Sequence, residues 1–328
     1  MKKFLSYFKE NPIVALLLAA TLVMGIGVEN FASWGNLSNL IANTTIRFVI
    51  ALGVSGCLIT KGTDLSAGRQ VGLAGCIAGI LIQRGDYAGR VSPFPEMNMW
   101  LILLIVLVIG AFIGYMNGTV ISRLHVPPFI ATLGMQTIVY GICLVVTNAQ
   151  PIGGFQQKYI DVIAGRWGNP REFNLPHLLV VMVVMFALFW FIYNKTTHGK
   201  YMYAIGGNEV AAEVSGVNTG RSLRLIYMTA GIMYALAGYL LAAKSGGASS
   251  GLAQGYELEA IAGCTIGGVS TTGGIGTVSG VLIGVLVFEL LKIILQFLGV
   301  NPYYNYVVQG LVIVIAVALD IRKYVKKK

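Results

Sequence analysis

TKGTDLSAGRQVGL, residues 60–73, places Lys61, Asp64, Arg69 and Gln70 between two apolar stretches of a chain whose mean hydropathy is +0.75. Charged and amide side chains are costly against lipid, so this segment belongs at an aqueous edge or in a protected cavity. Its flanks then read as membrane helices, and the segment itself is the first candidate for function. Composition agrees: 56% of residues are hydrophobic and 11% charged, against about 25% charged in soluble domains. A bilayer helix needs roughly 20 mainly apolar residues, and such stretches recur along the chain. The 328 residues are long enough for two soluble domains, but the composition points to one all-α polytopic membrane domain, 1–328. A net charge of +10 would suggest nucleic acid in a soluble protein. Here the distribution of the charges explains it, and no nucleic-acid partner is expected.

Working outward, ten spans emerge: 12–28, 41–60, 66–83, 100–122, 128–147, 176–193, 222–243, 258–269, 276–298 and 302–321. Pro12, Pro128, Pro176 and Pro302 are read as helix openers, where a missing N–H costs nothing. The third and eighth spans are short or broken by glycine, so eight spans with re-entrant pieces is the alternative count. Lys2 and Lys3 before the first apolar run resemble a signal peptide, but no small-x-small site follows cleanly, which reads as an uncleaved first helix. Most of the 23 Lys and Arg fall in segments that share a side with both ends, among them Lys61, Arg123, Lys195, Lys200, Arg221, Arg224 and Arg322. The opposite loops hold Arg84, Arg90, Lys158, Arg166, Arg171 and Lys244. Both termini are therefore expected in the cytoplasm. Trp34, Trp100 and Trp167 then mark the outer interface and Trp190 the inner one.

Glycines recur every four residues at Gly68/Gly72, Gly75/Gly79, Gly110/Gly114/Gly118 and Gly276/Gly280/Gly284. Small residues at this spacing let helices approach closely in lipid, where no hydrophobic drive joins them. The runs predict a tightly packed bundle and a dimer. A weak echo between residues 59–75 and 265–284, both glycine-rich turns between spans, suggests an internal repeat of the transporter kind. Cys57, Cys76, Cys143 and Cys264 show no CxxC spacing and read as small core fillers. His125, His177 and His198 lack a carboxylate or second histidine at ligand spacing, so no metal site is expected.

Two constellations stand out. In the inner loop 194–221, Gly207, Asn208, Glu209, Val210, Ala211, Ala212, Glu213, Val214, Ser215 and Gly216 read as a short helix that Asn208 caps and Gly216 ends. Val210, Val214 and Val217 fall on one stripe beside small residues, a face suited to a cleft on another protein; a helix lying on the lipid surface is the competing reading. In the first segment, Asp64 or Ser66 caps the third helix, or Asp64 and Arg69 form an ionic latch beside the pathway. Gln70 and Asn43 offer hydrogen bonds that match hydroxyls. Glu289 and Lys292, at i, i+3, neutralise each other, and Arg47 near an outer helix end snorkels. No GxxxxGK[ST] loop, HExxH or GxSxG is present, so no catalytic residue and no cofactor is expected.

Gly62–Gly68, GTDLSAG, resembles the glycine-aspartate-leucine-serine signature of sugar-transporting ABC permeases. The residues Arg69, Gln70, Val71 and Gly72 that follow are most similar to the galactose/methyl-galactoside branch. MYAIGGNEVAAEVSGV (202–217), GGVSTTGGIGTVSG (267–280) and the NPYYNYVVQG…AVALD ending (301–320) extend the likeness to nearly the whole chain. The resemblance is to the branched-chain amino acid/sugar permease family of binding-protein-dependent importers; Lys61 and Tyr203 are small departures. It implies a multi-pass subunit of the bacterial cytoplasmic (inner) membrane, working as a homodimer by alternating access. A separate ABC ATPase subunit would drive it, docked on Glu209, Ala211, Ala212 and Gly216 in 194–221, the coupling loop. An extracytoplasmic sugar-binding protein would feed it galactose or methyl-galactoside. Ribose or another monosaccharide is the nearest alternative substrate. An ion-coupled sugar carrier is a different class, which wants a buried unpaired acid and no docking helix. An intramembrane enzyme lacks any catalytic pair.

Overall fold

Among the described residues, six helix starts are closed by side chains that accept backbone N–H groups: Ser33, Asn98, Thr196, Asn208, Asn218 and Thr277. The structure, a computed structural model, describes residues 12–169, 173–301 and 303–325. The basic residues Lys2, Lys3, Lys9, Lys326, Lys327 and Lys328, together with Arg171 and Pro302, lie outside the described residues. Helix α1 is Pro12–Gly27. Ser33 caps α2, Trp34–Ile59, and Asn98 caps α4, Met99–Leu124. Between them lies α3, Ala67–Leu81, and Pro128 occupies the first turn of α5, Pro128–Thr147. A short α6, Gln157–Ala164, leads into the antiparallel strands β1, Arg166–Gly168, and β2, Asn174–Pro176. Then come α7, Leu178–Lys195, α8, Thr197–Gly207, and α9, Glu209–Val214. Asn218 caps α10, Thr219–Ser245; α11, Tyr256–Ile266, follows; Thr277 caps α12, Val278–Phe297; and α13 is Tyr304–Val325.

Among the described residues, six helices (α2, α4, α5, α7, α10 and α12) are long and apolar enough to cross a membrane. At 1.5 Å per residue, the 15 residues of α3 and 11 of α11 reach only about 22 and 16 Å, short of the roughly 30 Å hydrocarbon layer. They are the two short elements the sequence singled out. Helices α2 and α10 form the buried centre, and α4, α5 and α7 turn apolar faces such as Leu104, Phe112, Val145 and Val184 outward, as lipid contact requires.

Four sequence expectations are corrected. The fold is not purely helical, because β1 and β2 form a small hairpin. Pro176 closes that hairpin, and α7 starts at Leu178 instead. The second span starts at Trp34 rather than residue 41, since the polar turn holding Asn36 and Asn39 stays helical along a polar cavity. Segment 194–221, expected to hold one short helix within a loop, is mostly helix, α8 and α9.

The glycine runs serve packing inside one chain. A Cβ on Gly110 would fall on the carbonyl oxygen of Gly231, and one on Gly231 would fall on that of Gly110; Gly114 meets the Tyr227 carbonyl in the same way. Gly280 and Gly284 are pressed against the carbonyls of Gly267 and Gly263. Backbones therefore touch along α4–α10 and α11–α12 with no side chain between, the close approach that replaces hydrophobic drive in lipid. These glycines give no separate argument for a dimer, because their partners are on their own chain. All four cysteines are free and buried, as core fillers should be.

Candidate functional site

At one end of the bundle, the turn from α8 into α9 forms an exposed tip. Asn208 Oδ1 accepts from Ala211 N at 3.0 Å, closing the cap the sequence suggested. After Val214 the chain turns back: Val217 N donates to Ala212 O at 3.0 Å, and Gly216 sits at φ +86°, where a side chain is strained. The stripe therefore divides. Val210 and Val214, one turn apart, are 71% and 85% exposed, while Val217 folds under them against Ile205, Ala212 and Leu223. Ala212 is only 5% exposed. Its small size fits it to its own chain, so it is an anchor and the two valines are the free apolar surface. Gly207, Asn208, Glu209, Ala211, Glu213, Ser215 and Gly216 are exposed around them.

Immediately behind the tip, three glycine-bearing turns meet. Gly206 lies against the Ile59 carbonyl and Gly274 N, leaving no room for a Cβ. Gly274 N donates to Ile59 O at 2.8 Å, and Lys61 Nζ donates to Gly207 O at 3.3 Å. Tyr203 O–H donates to Gly276 O at 2.8 Å; burial pushes that phenol up to about 12, so it keeps its proton. The two echoing segments of the sequence thus touch each other, and both touch the base of the tip.

From Lys61 the chain enters the signature turn. Asp64 is fully buried, and its Oδ1 accepts from Ser66 N at 3.0 Å and from Ser66 Oγ at 2.5 Å. Ser66 Oγ accepts in turn from Gln70 Nε2 at 2.8 Å and Asn117 Nδ2 at 3.0 Å. This chain of polar side chains ties the start of α3 to α4. Thr132 on α5 brackets the turn from the other side, accepting from Leu65 N and donating to Thr63 O. Asn117 and Thr132 were not singled out from the sequence; the one available signal was an amide inside the apolar span 100–122.

Arg69 is not part of that chain. Its guanidinium stacks over Tyr140 at 4.1 Å, and Nη1 donates to Ser250 O at 3.1 Å. Next to it, Gly68 makes room for the Glu257 carboxylate. The structure therefore holds Asp64 in a turn-closing role and Arg69 on an aromatic face, with no ion pair between them. Ser66 stands at the N-cap of α3 with no side-chain cap bond, so neither it nor Asp64 caps the helix in the usual way. Asp64→Asn, which retains the accepting Oδ1, is expected to leave uptake close to wild type. Asp64→Ala, which strands the buried Ser66 donors, should cost about 1–3 kcal/mol of stability. Transport by purified variants alongside melting midpoints checks both; abolished uptake in the Asn variant would restore the latch.

Asn43 sits elsewhere. It lies 16 residues before Ile59 on α2, about 24 Å along the axis, where its Oδ1 accepts from Lys244 Nζ. Arg47, one turn further in, does not snorkel. Its Nε lies 2.6 Å from both Glu259 Oε2 and Glu289 Oε1. Lys292 Nζ lies 2.6 Å from Glu259 Oε1 and 3.5 Å from Glu289 Oε1, and Tyr256 lies under the Arg47 guanidinium at 4.5 Å. Glu289 and Lys292 do neutralise each other, within a neutral four-member cluster that pins α2, α11 and α12 together.

The family described as "Branched-chain amino acid transport system / permease component" matches residues 36–317. The chain is 45% identical to the galactose/methyl galactoside import permease protein of Escherichia coli (strain K12), over 100% of this chain and 98% of the relative. It is 44% identical to the protein of the same name from Salmonella typhimurium, with the same coverage. The ribose import permease protein of Escherichia coli (strain K12) is 32% identical over 96% of this chain and 94% of its own length. No solved structure matches the chain.

Proposed function

Because the chain belongs to the family of branched-chain amino acid transport system permease components, we propose that it carries galactose or methyl galactoside inward as the membrane subunit of an ABC importer. The carrying observation is the full-length likeness to import permeases named for those sugars. In this reading the chain has ten membrane segments, the six long helices with α1, α3, α11 and α13, and both termini are cytoplasmic. Two copies form the transport unit, a separate ATPase docks below and a sugar-binding protein delivers cargo above. The chain itself hydrolyses nothing, in keeping with the absence of a phosphate-cradling GxxxxGK[ST] loop from its sequence.

The geometry supports a route for the drive. Val210 and Val214 offer a small apolar knob of the kind that enters a partner's groove. A push on it reaches Gly206 and Gly207, then Ile59 and Gly274 through backbone contacts, and so both echoing turns at once. Asp64, Ser66 and Gln70 lie directly beyond Lys61, where such a displacement would tilt α3 against α4. Glu259 and Glu289 are paired with Arg47 and Lys292, so neither is free to take up and release a cation as the acid of an ion-coupled carrier must be. Asp64 and Glu257 are buried without a cation partner among the described residues, and the ion-gradient arm of the test below decides between the two classes.

The test is uptake into proteoliposomes carrying this permease and its cognate ATPase, with the binding protein outside. Galactose accumulation that requires ATP and binding protein is the expected result. Accumulation without ATPase, driven by a proton or sodium gradient, would overturn it. Ribose taken up in preference to galactose would move the substrate to that of the more distant relatives.

A further inference from the structure

At the end of the bundle opposite the valine tip, a cavity of about 420 Å3 opens between the start of α2 and the last turns of α10 and α12. Its volume is in the range of small-molecule sites, about 300–1,000 Å3. Its lining differs from theirs: Asn36, Asn39 and Asn43 on one stripe of α2, Lys244 on α10 and Gln296 on α12. Asparagine is a poor helix former, and three along one edge of a membrane helix are retained only where that edge is wet.

Each of the three amides is held at one end and open at the other. Asn36 Nδ2 donates to Phe31 O at 2.7 Å, leaving its Oδ1 as a free acceptor. Asn39 Oδ1 accepts from Arg166 Nη2 at 2.7 Å, and Asn43 Oδ1 accepts from Lys244, leaving two Nδ2 groups as donors. A row with one acceptor and two donors, already oriented, matches a ring of vicinal hydroxyls, each of which donates once and accepts twice. Orientation fixed before binding lowers the ordering cost of the complex. Both cations at the cleft are already engaged, Arg166 by Asn39 and Lys244 by Asn43, so the chemistry suits a neutral polyol better than an anion.

We propose that this asparagine cleft is the site where a monosaccharide first lodges in the permease, its hydroxyls read by Asn36, Asn39 and Asn43. The proposal rests on the sugar-import reading, and the test separates the two. All four native cysteines are buried, so Gln296→Cys places one accessible thiol at the cavity wall. The intact permease in nanodiscs, with both faces open to solution, is labelled with a membrane-impermeant maleimide with and without millimolar galactose. Galactose should slow labelling several-fold, equal concentrations of leucine should not, and adding Asn36→Leu and Asn43→Leu should abolish the protection while the sugar-free rate stays the same. A rate unaffected by galactose, or slowed equally by leucine, would overturn the site, even where proteoliposomes accumulate galactose. Protection without ATP-dependent accumulation would instead leave the site standing and remove the importer reading. A changed sugar-free rate in the leucine variants marks a disturbed fold; Asn39→Ala, which leaves the other two amides in place, should then lower the protection without changing that rate, and full protection in it would count against the site.

Discussion

Replacing Arg47 with leucine is expected to cost the folded permease about 3–5 kcal/mol, since removing one partner of a buried ion pair strands the other. The Arg47 side chain is 13% exposed and stands 2.6 Å from Glu259 and from Glu289. Without it, Lys292 alone faces two carboxylates, and a net negative charge is left between α2, α11 and α12. The variant should show a sharply lower melting midpoint in detergent, read with a thiol-reactive dye that reports exposure of the buried cysteines. Arg47→Leu combined with Glu289→Gln leaves Lys292 paired with Glu259 and restores neutrality, so most of the loss should return. Such recovery in a double-mutant cycle separates a charge effect from a packing effect. A single variant melting with wild type would mean that the cluster contributes nothing to the bundle.

Substituting Val210 and Val214 together by aspartate should cut association with the ATPase by roughly a hundredfold, about 3 kcal/mol, while leaving the fold intact. Both side chains are largely exposed and touch little of their own chain, so nothing inside the permease depends on them. Ala212→Leu makes the contrasting control. Ala212 is packed beneath the tip against Ile205 and Leu223, and overfilling that space should lower the melting midpoint by the equivalent of about 1–3 kcal/mol. Co-purification of permease and ATPase, with melting of the permease alone, distinguishes the two outcomes. Wild-type complex formation by the double aspartate variant would remove the tip as the docking surface.

Local chemistry made much of this legible in advance. Asn208 caps α9 because an amide before a helix start accepts from the N–H groups left without partners, and Pro128 opens α5 because its missing N–H costs nothing there. The short third and eighth segments were visible as glycine-rich interruptions of apolar sequence. What could not be read were relations between residues far apart in the chain. Arg47 looked like a lone cation near a helix end, since its partner Glu259 lies 212 residues away. For Asp64 a cap and a latch with Arg69 both stand open in the sequence, because opposite charges lie close there; in the fold Arg69 turns to Tyr140 and Ser250 while Asp64 binds Ser66. Val217 matched the valine stripe by counting, but the helix stops at Val214 and the chain reverses at Gly216. The smallness of Ala212 was legible; whether it faced a partner or its own chain was decided by Ile205 and Leu223.

The long separation within the charge cluster also bears on biogenesis. Synthesis proceeds at about 5–20 residues per second, so Arg47 is made roughly 10–40 seconds before Glu259 exists to neutralise it. During that interval α2 carries a guanidinium and three asparagines, a poor candidate for release into lipid. We expect the helix to wait beside the insertion machinery or in contact with water until α11 and α12 arrive. Nascent chains stalled short of residue 259 should therefore leave a cysteine at position 46, Ile46→Cys beside an intact Arg47, open to aqueous labelling, and completed chains, where position 46 is buried, should close it. The permease would then be committed to the membrane in order of charge balance, with one of its earliest long helices among the last to settle.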